Sequence, residues 1–130
     1  MATNYVDFFD SLIIHFRLMR RCGESHFGID SRHLIESALA RPQHAAVYEN
    51  ADIVRQAATL YFGLIKNHPW LGGNKRTATA IVDEFLYRND CEINIHVPHV
   101  VELVLAIESD RFDVEEIERW LRTRVRKFNS

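Results

Sequence analysis

The chain has 130 residues, enough for one domain with one core and too few for two ordinary ones, so residues 1–130 are read as a single domain. An apolar fraction of 47% and a charged fraction of 26% are those of a soluble globular protein, and no apolar run approaches the ~20 residues that a membrane span needs. The net charge of −2 indicates no general nucleic-acid-binding surface, so neither a membrane nor a nucleic acid is an expected partner. The first residues carry no basic stretch and no cleavage site, which makes the cytoplasm the expected location. Cys22 and Cys91 form no CxxC pair and read as two reduced thiols.

Helical patterns run through the whole chain. Residues 4–20 place Val6, Phe9, Ile13 and Phe16 on one face. A short helix is expected over residues 31–40, capped by Asp30 or Ser31 and ended at Arg41 and Pro42, because the residue before a proline is pushed out of the α region. Residues 43–50 then read as polar and irregular. Residues 51–67 are apolar on nearly every face, the mark of a buried central helix. His68 to Gly73 form a break with Pro69 and two glycines. The next helix begins near Asn74 with a core stripe of Ala78, Ile81, Val82, Phe85 and Leu86, and ends at Asn89 and Asp90. A short extended stretch over residues 91–97 alternates weakly, Ile93 and Ile95 against Asn94 and His96. Helices at 98–108 and 113–128 close the chain, the last opened by Asp113 and Glu116 at capping-box spacing. Its end is crowded with Arg119, Arg122, Arg124, Arg126 and Lys127, which suits a helix C-terminus or a docking surface for an acidic partner. The sum is five or six helices around one buried central helix.

Chemistry concentrates in the break. Gly72 and Gly73 let the backbone turn tightly and leave its N–H groups uncovered. Asn74 falls at the helix N-cap, and Lys75 and Arg76 fall in the first turn. Two cations there oppose the helix dipole and cost a few tenths of a kcal/mol each. An anion bound at the same point reverses the sign, since free N–H groups, dipole, lysine and arginine then all act on it. A phosphate chain is the natural candidate. His68, just before the loop, has the pKa range of a general base for a hydroxyl. Pro69 stiffens the turn and Trp70 is expected to plug into the core. Spacing alone stops at an anion site and leaves catalysis and binding both open. The other histidines, at 15, 26, 33, 44, 96 and 99, form no HxxxH or HExxH pattern.

His68, Pro69, Trp70, Leu71, Gly72, Gly73, Asn74, Lys75 and Arg76 resemble the signature of the Fic/Doc family, HPFx(D/E)GN(G/K)R. Lys75, where most Fic enzymes have glycine, resembles the Doc branch, as do Thr77 and Ala78 and the upstream residues 28–43. The resemblance implies an all-α helical bundle with the motif loop between two central helices. It implies a toxin that transfers the γ-phosphate of ATP to a threonine of elongation factor Tu, where Fic enzymes transfer AMP. Carried over, His68 would be the general base, Gly73 and Asn74 would form the anion hole, and Lys75 and Arg76 would hold the phosphates. Residues 41–48 would correspond to the flap that positions the target. The implied cofactors are ATP and Mg²⁺, and the implied partners are a protein of the translation machinery and a cognate antitoxin.

Two positions depart from the family pattern. Gly72 stands where the family has its acidic Mg²⁺ ligand, so Mg²⁺ is expected to be held through the phosphates and no residue is assigned to the metal. On this reading Gly72→Asp would raise transfer. Thr79 stands where Fic transferases carry a second arginine, which argues against AMP transfer more than against phosphate transfer. The expected function is therefore γ-phosphate transfer to a protein hydroxyl. Its rivals are AMP transfer and a non-catalytic nucleotide- or partner-binding module.

Overall fold

The computed structural model describes residues 2–94 and 96–128. Along the chain run α1 (Phe8–Arg21), α2 (Arg32–Glu49), α3 (Ile53–Asn67), α4 (Asn74–Arg88), β1 (Cys91–Ile93), α5 (Val97–Glu108), α6 (Val114–Arg122) and β2 (Val125–Lys127). Helix α3 is the hub, packed against α2, α4, α5 and α6. Ala57, Ala58, Leu60, Tyr61, Leu64 and Ile65 on it are all buried, which matches its all-round apolar pattern. The expected stripe on α4 is buried in full, from Ala78 to Leu86. The mainly helical, single-core architecture is the one expected, with the motif loop joining α3 to α4.

Local chemistry sets most helix ends. Asp7 and Asp10 form a reciprocal capping box on α1, and Asp113 and Glu116 form the expected one on α6. Ser31 caps α2 and Asp52 caps α3 through their side-chain oxygens. Asn50, at φ 52°, closes α2 in the left-handed conformation that asparagine tolerates better than most residues.

Four expectations are corrected. First, α2 does not stop at Pro42 but runs on to Glu49, so residues 43–50 are not irregular and residues 41–48 lie on this helix. The ring removes one backbone bond, a local cost of about 3 kcal/mol. Burial of Ile35, Ala38, Pro42 and Ala45 along the α2–α3 contact offsets it. Second, α1 starts at Phe8, and its buried face is Ser11, His15 and Met19. Phe9 and Ile13 are 65% and 51% exposed, so of the expected apolar face Val6, ahead of the helix, is the part that is buried. The polar pair goes inside because each finds a partner: Ser11 Oγ donates to the Phe8 carbonyl, and the His15 ring is bonded at both nitrogens.

Third, the last helix ends at Arg122, and residues 125–127 pair antiparallel with residues 91–93. The Arg124 guanidinium stacks 4.0 Å from the centre of the Trp120 ring, and Arg126 pairs across the strands with Glu92 at 2.6 Å. The basic run thus divides between a helix end and a strand. Ile95, on the expected extended stretch, lies outside the described residues. Fourth, the N-cap of α4 is Gly73, at φ 65°, and Asn74 is the first helical residue.

The close approach of α2 to α3 depends on Gly63. A Cβ there would lie 2.6 Å from Arg41 Cδ and 3.3 Å from the Ala38 Cα. Gly63→Ala is expected to push Arg41 off the Phe62 ring, over which it stacks, and to lower stability by about 1–3 kcal/mol. Urea denaturation of the two proteins measures the difference.

Candidate active site

Helix α3 ends on His68, whose φ of 48° and ψ of 55° turn the chain sharply out of the helix. A non-glycine residue in this region stores strain of roughly 1 kcal/mol or more, which the surroundings must hold. They do so by backbone bonds from residues 28–31. The amides of Asp30 and Ser31 donate to the Pro69 carbonyl at 3.0 and 3.1 Å, and Leu71 donates to the Gly28 carbonyl at 2.9 Å. The loop is thereby stitched to the segment that leads into α2.

Asn74 clamps the loop from within. Its Oδ1 accepts from the Trp70 amide at 3.0 Å and its Nδ2 donates to the Trp70 carbonyl at 2.9 Å. Those two bonds fix which way the amide points. The same Nδ2 lies 3.4 Å from His68 Nδ1, too far to lock the tautomer of that exposed ring. Trp70 is 2% exposed and plugs into the core as expected. Asn74 is therefore a buried organiser of the loop, not a helix cap.

No pattern along the chain pointed to His15, the residue that backs this loop. Its ring is fully buried and stacks on Trp70 at 4.2 Å with an interplanar angle of 17°. Its Nε2 accepts from the Gly28 amide at 3.1 Å, so the proton of the neutral ring sits on Nδ1 and donates to Thr77 Oγ1 at 2.8 Å. One imidazole thus ties α1, the 28–31 segment, the motif loop and α4 together.

Around this frame lies a cavity of about 880 Å³. His68, Gly72, Gly73, Asn74, Lys75 and Arg76 all line it. The first N–H groups of α4 have no intrahelical partner, and no side chain caps them. Lys75 Nζ rests 3.0 Å from Glu108 and Arg76 rests 2.8 Å from Glu24. Both pairs are solvent-accessible, so each contributes ~1 kcal/mol or less and yields to a multiply charged anion. The five expected site residues are brought to one place. Glu24 and Glu108, which hold the cations, come from other parts of the chain, so spacing along the motif carries no sign of them. Asp83, further along α4, lines the same cavity.

Thr79 also lines it, and its hydroxyl is committed. Thr79 Oγ1 donates to the Lys75 carbonyl at 2.9 Å and accepts from the buried Tyr61 hydroxyl at 2.6 Å. Burial pushes the Tyr61 pKa up to about 12, so it stays a donor.

Gly72 has a structural reason of its own. A Cβ at this position would meet the His26 carbonyl oxygen at 2.7 Å. The segment crossing here takes the space that an acidic side chain would need, and among the described residues no group of three or more His, Cys, Asp or Glu is placed to hold a metal. The residues present do not fit a carboxylate-held Mg²⁺. The expectation that Gly72→Asp restores a metal ligand is revised accordingly.

The site thus brings together, at a glycine turn between two central helices, a histidine on one side and two cations on the other. A family model described as the Fic/DOC family matches residues 5–86 of the chain. The chain belongs to the Fic/DOC family, whose members are typically transferases. No curated protein matches it. No helix among the described residues is long and apolar enough to cross a membrane.

Two outcomes follow from this geometry. Gly72→Asp is expected to destabilise the fold by about 1–3 kcal/mol, read as a lower unfolding midpoint in urea, because the backbone at His26 must move. The second concerns His15, whose pKa burial lowers from 6.5 to about 4. Between those values the unfolded chain binds a proton that the folded one refuses. The contribution is intact above about pH 6.5 and is lost as the pH falls toward 4. Wild type should lose on the order of 2–3 kcal/mol more than His15→Gln over that range in denaturant titrations.

Proposed function

We propose that this chain is a Doc-like phosphotransferase that moves the γ-phosphate of ATP to a hydroxyl of a protein of the translation machinery, with a threonine of elongation factor Tu as the expected acceptor, and so inhibits translation. The observation that carries the reading is the convergence of His68, the uncapped start of α4, Lys75 and Arg76 on one cavity. In the step, the target oxygen forms a bond to the γ-phosphorus, the bond to the β–γ bridging oxygen breaks, and ADP leaves. His68 takes the hydroxyl proton. Charge on the transferring group is met by the N–H groups of Gly73 and Asn74 and by Lys75 and Arg76. Asn74 contributes by its backbone, since its side chain is spent on Trp70.

The position of Thr79 favours phosphate over AMP transfer, because a hydroxyl held by Tyr61 and Lys75 offers no second cation. ATP is the donor on this reading, and any Mg²⁺ travels on its phosphates. A cognate antitoxin and a cytoplasmic site of action belong to the same reading. A nucleotide- or partner-binding role without transfer is the second reading, favoured by the lack of a carboxylate at Gly72.

Incubation with elongation factor Tu, Mg²⁺ and ATP labelled at the α or the γ phosphate separates these readings. Transfer of the γ label, reduced by about 10²–10⁴-fold in His68→Ala, is the expected result. Transfer of the α label instead would mean AMP transfer. ATP binding with neither label transferred would leave the binding role.

A further inference from the structure

The cavity at the motif has a second end. Its floor is one face of α4, along which Lys75, Thr79 and Asp83 follow one another at i, i+4 and i+8. Asp83 therefore lies about 12 Å beyond Lys75 along the helix axis. The wall between them comes from α5 and is apolar. Val97, Val101 and Leu105 on it are 68%, 48% and 46% exposed, large side chains that the core leaves unused.

Asp83 differs from the other charged groups of the cavity. Lys75 and Arg76 are each paired with a carboxylate. The charge next to Asp83 is that of Glu84, and among the described residues no hydrogen bond or cation stabilises its ionised form. Burial, and secondarily Glu84, hold its carboxyl above the usual range. An ionised carboxylate offers only acceptors, so what it lacks is a donor. A negative group at this distance from bound phosphates is largely screened, since the Debye length is ~8 Å at physiological salt.

A cavity with an anion cradle at one end, an apolar wall in the middle and an unpaired acceptor at the far end matches a nucleoside triphosphate. The phosphates take the cradle, the flat base lies on the valine and leucine side chains, and the edge of the base reaches the acid. We propose that Asp83 reads the nucleobase, accepting a hydrogen bond from its exocyclic amino group, so that the site selects an amino-bearing purine over one without the amino group. The inference rests on the nucleotide reading proposed above and adds a specificity residue to it. Discrimination arises because a base without the donor leaves a partly desolvated acceptor unpaired.

Calorimetric titration of the full chain tests the assignment with three probes: ATP, purine riboside triphosphate, which lacks the amino group, and inorganic tripolyphosphate. Wild type should bind ATP on the order of tenfold more tightly than purine riboside triphosphate. In Asp83→Ala that ratio should fall to near one while tripolyphosphate binds as before. The Asp83 side chain is partly shielded but reaches solvent, so the variant is expected to fold, and its unfolding midpoint checks this. Equal binding of the two nucleotides by wild type, or an unchanged ratio in Asp83→Ala, overturns the role of Asp83 while bound tripolyphosphate leaves the cradle standing. Failure of all three probes to bind overturns both.

Discussion

The buried imidazole of His15 is where four parts of the fold meet. Its two ring nitrogens bond Gly28 and Thr77, and its face stacks on Trp70. Each bond contributes roughly 1 kcal/mol and the stack a similar amount. Their larger effect is geometric, because one side chain ties together α1, the 28–31 segment, the motif loop and the start of α4. The strained turn at His68 and the left-handed Gly73 keep their conformations because this frame surrounds them. The frame holds only while the ring is neutral, since a proton on Nε2 would remove the acceptor that Gly28 uses.

Held this way, the start of α4 concentrates positive charge. Its N–H groups are uncapped, and its lysine and arginine are lent to Glu108 and Glu24 through exposed pairs. Such pairs are cheap to break. They also keep two first-turn cations from destabilising the helix start, as they would against the dipole alone. The fold thus meets the local penalty of two cations at a helix start with carboxylates contributed by α5 and by the turn after α1. The glycine at position 72 belongs to the same economy of space, since the backbone at His26 crosses where a side chain would point.

Much of this was legible in the order of residues. The all-round apolar pattern identified α3 as the central helix, and the stripe on α4 was read residue by residue. The motif residues His68, Gly73, Asn74, Lys75 and Arg76 do line one cavity. What misled were local rules that a neighbour overrode. Pro42 ends helices in general, but here buried contacts with α3 carry α2 through it. Phe9, Ile13 and Phe16 have perfect helical spacing, yet the interior took Ser11, His15 and Met19 because the polar groups had partners there.

The sequence by itself determined the helical class, the buried central helix and the nine-residue segment of the family motif. Those are local properties: period, glycine and proline placement, and charge at a helix start are all written within a few residues. Only the tertiary structure decided that His15 supports the loop, that Glu24 and Glu108 hold the cations, that Asp83 shares the cavity and that Gly72 has no room for a carboxylate. Each of these depends on residues far apart in the chain being brought within bonding distance, 62 positions for His15 and Thr77 and 52 for Glu24 and Arg76. Periodicity and spacing contain no term for such separations. Packing supplies it, because most buried polar atoms take a partner wherever the chain places one.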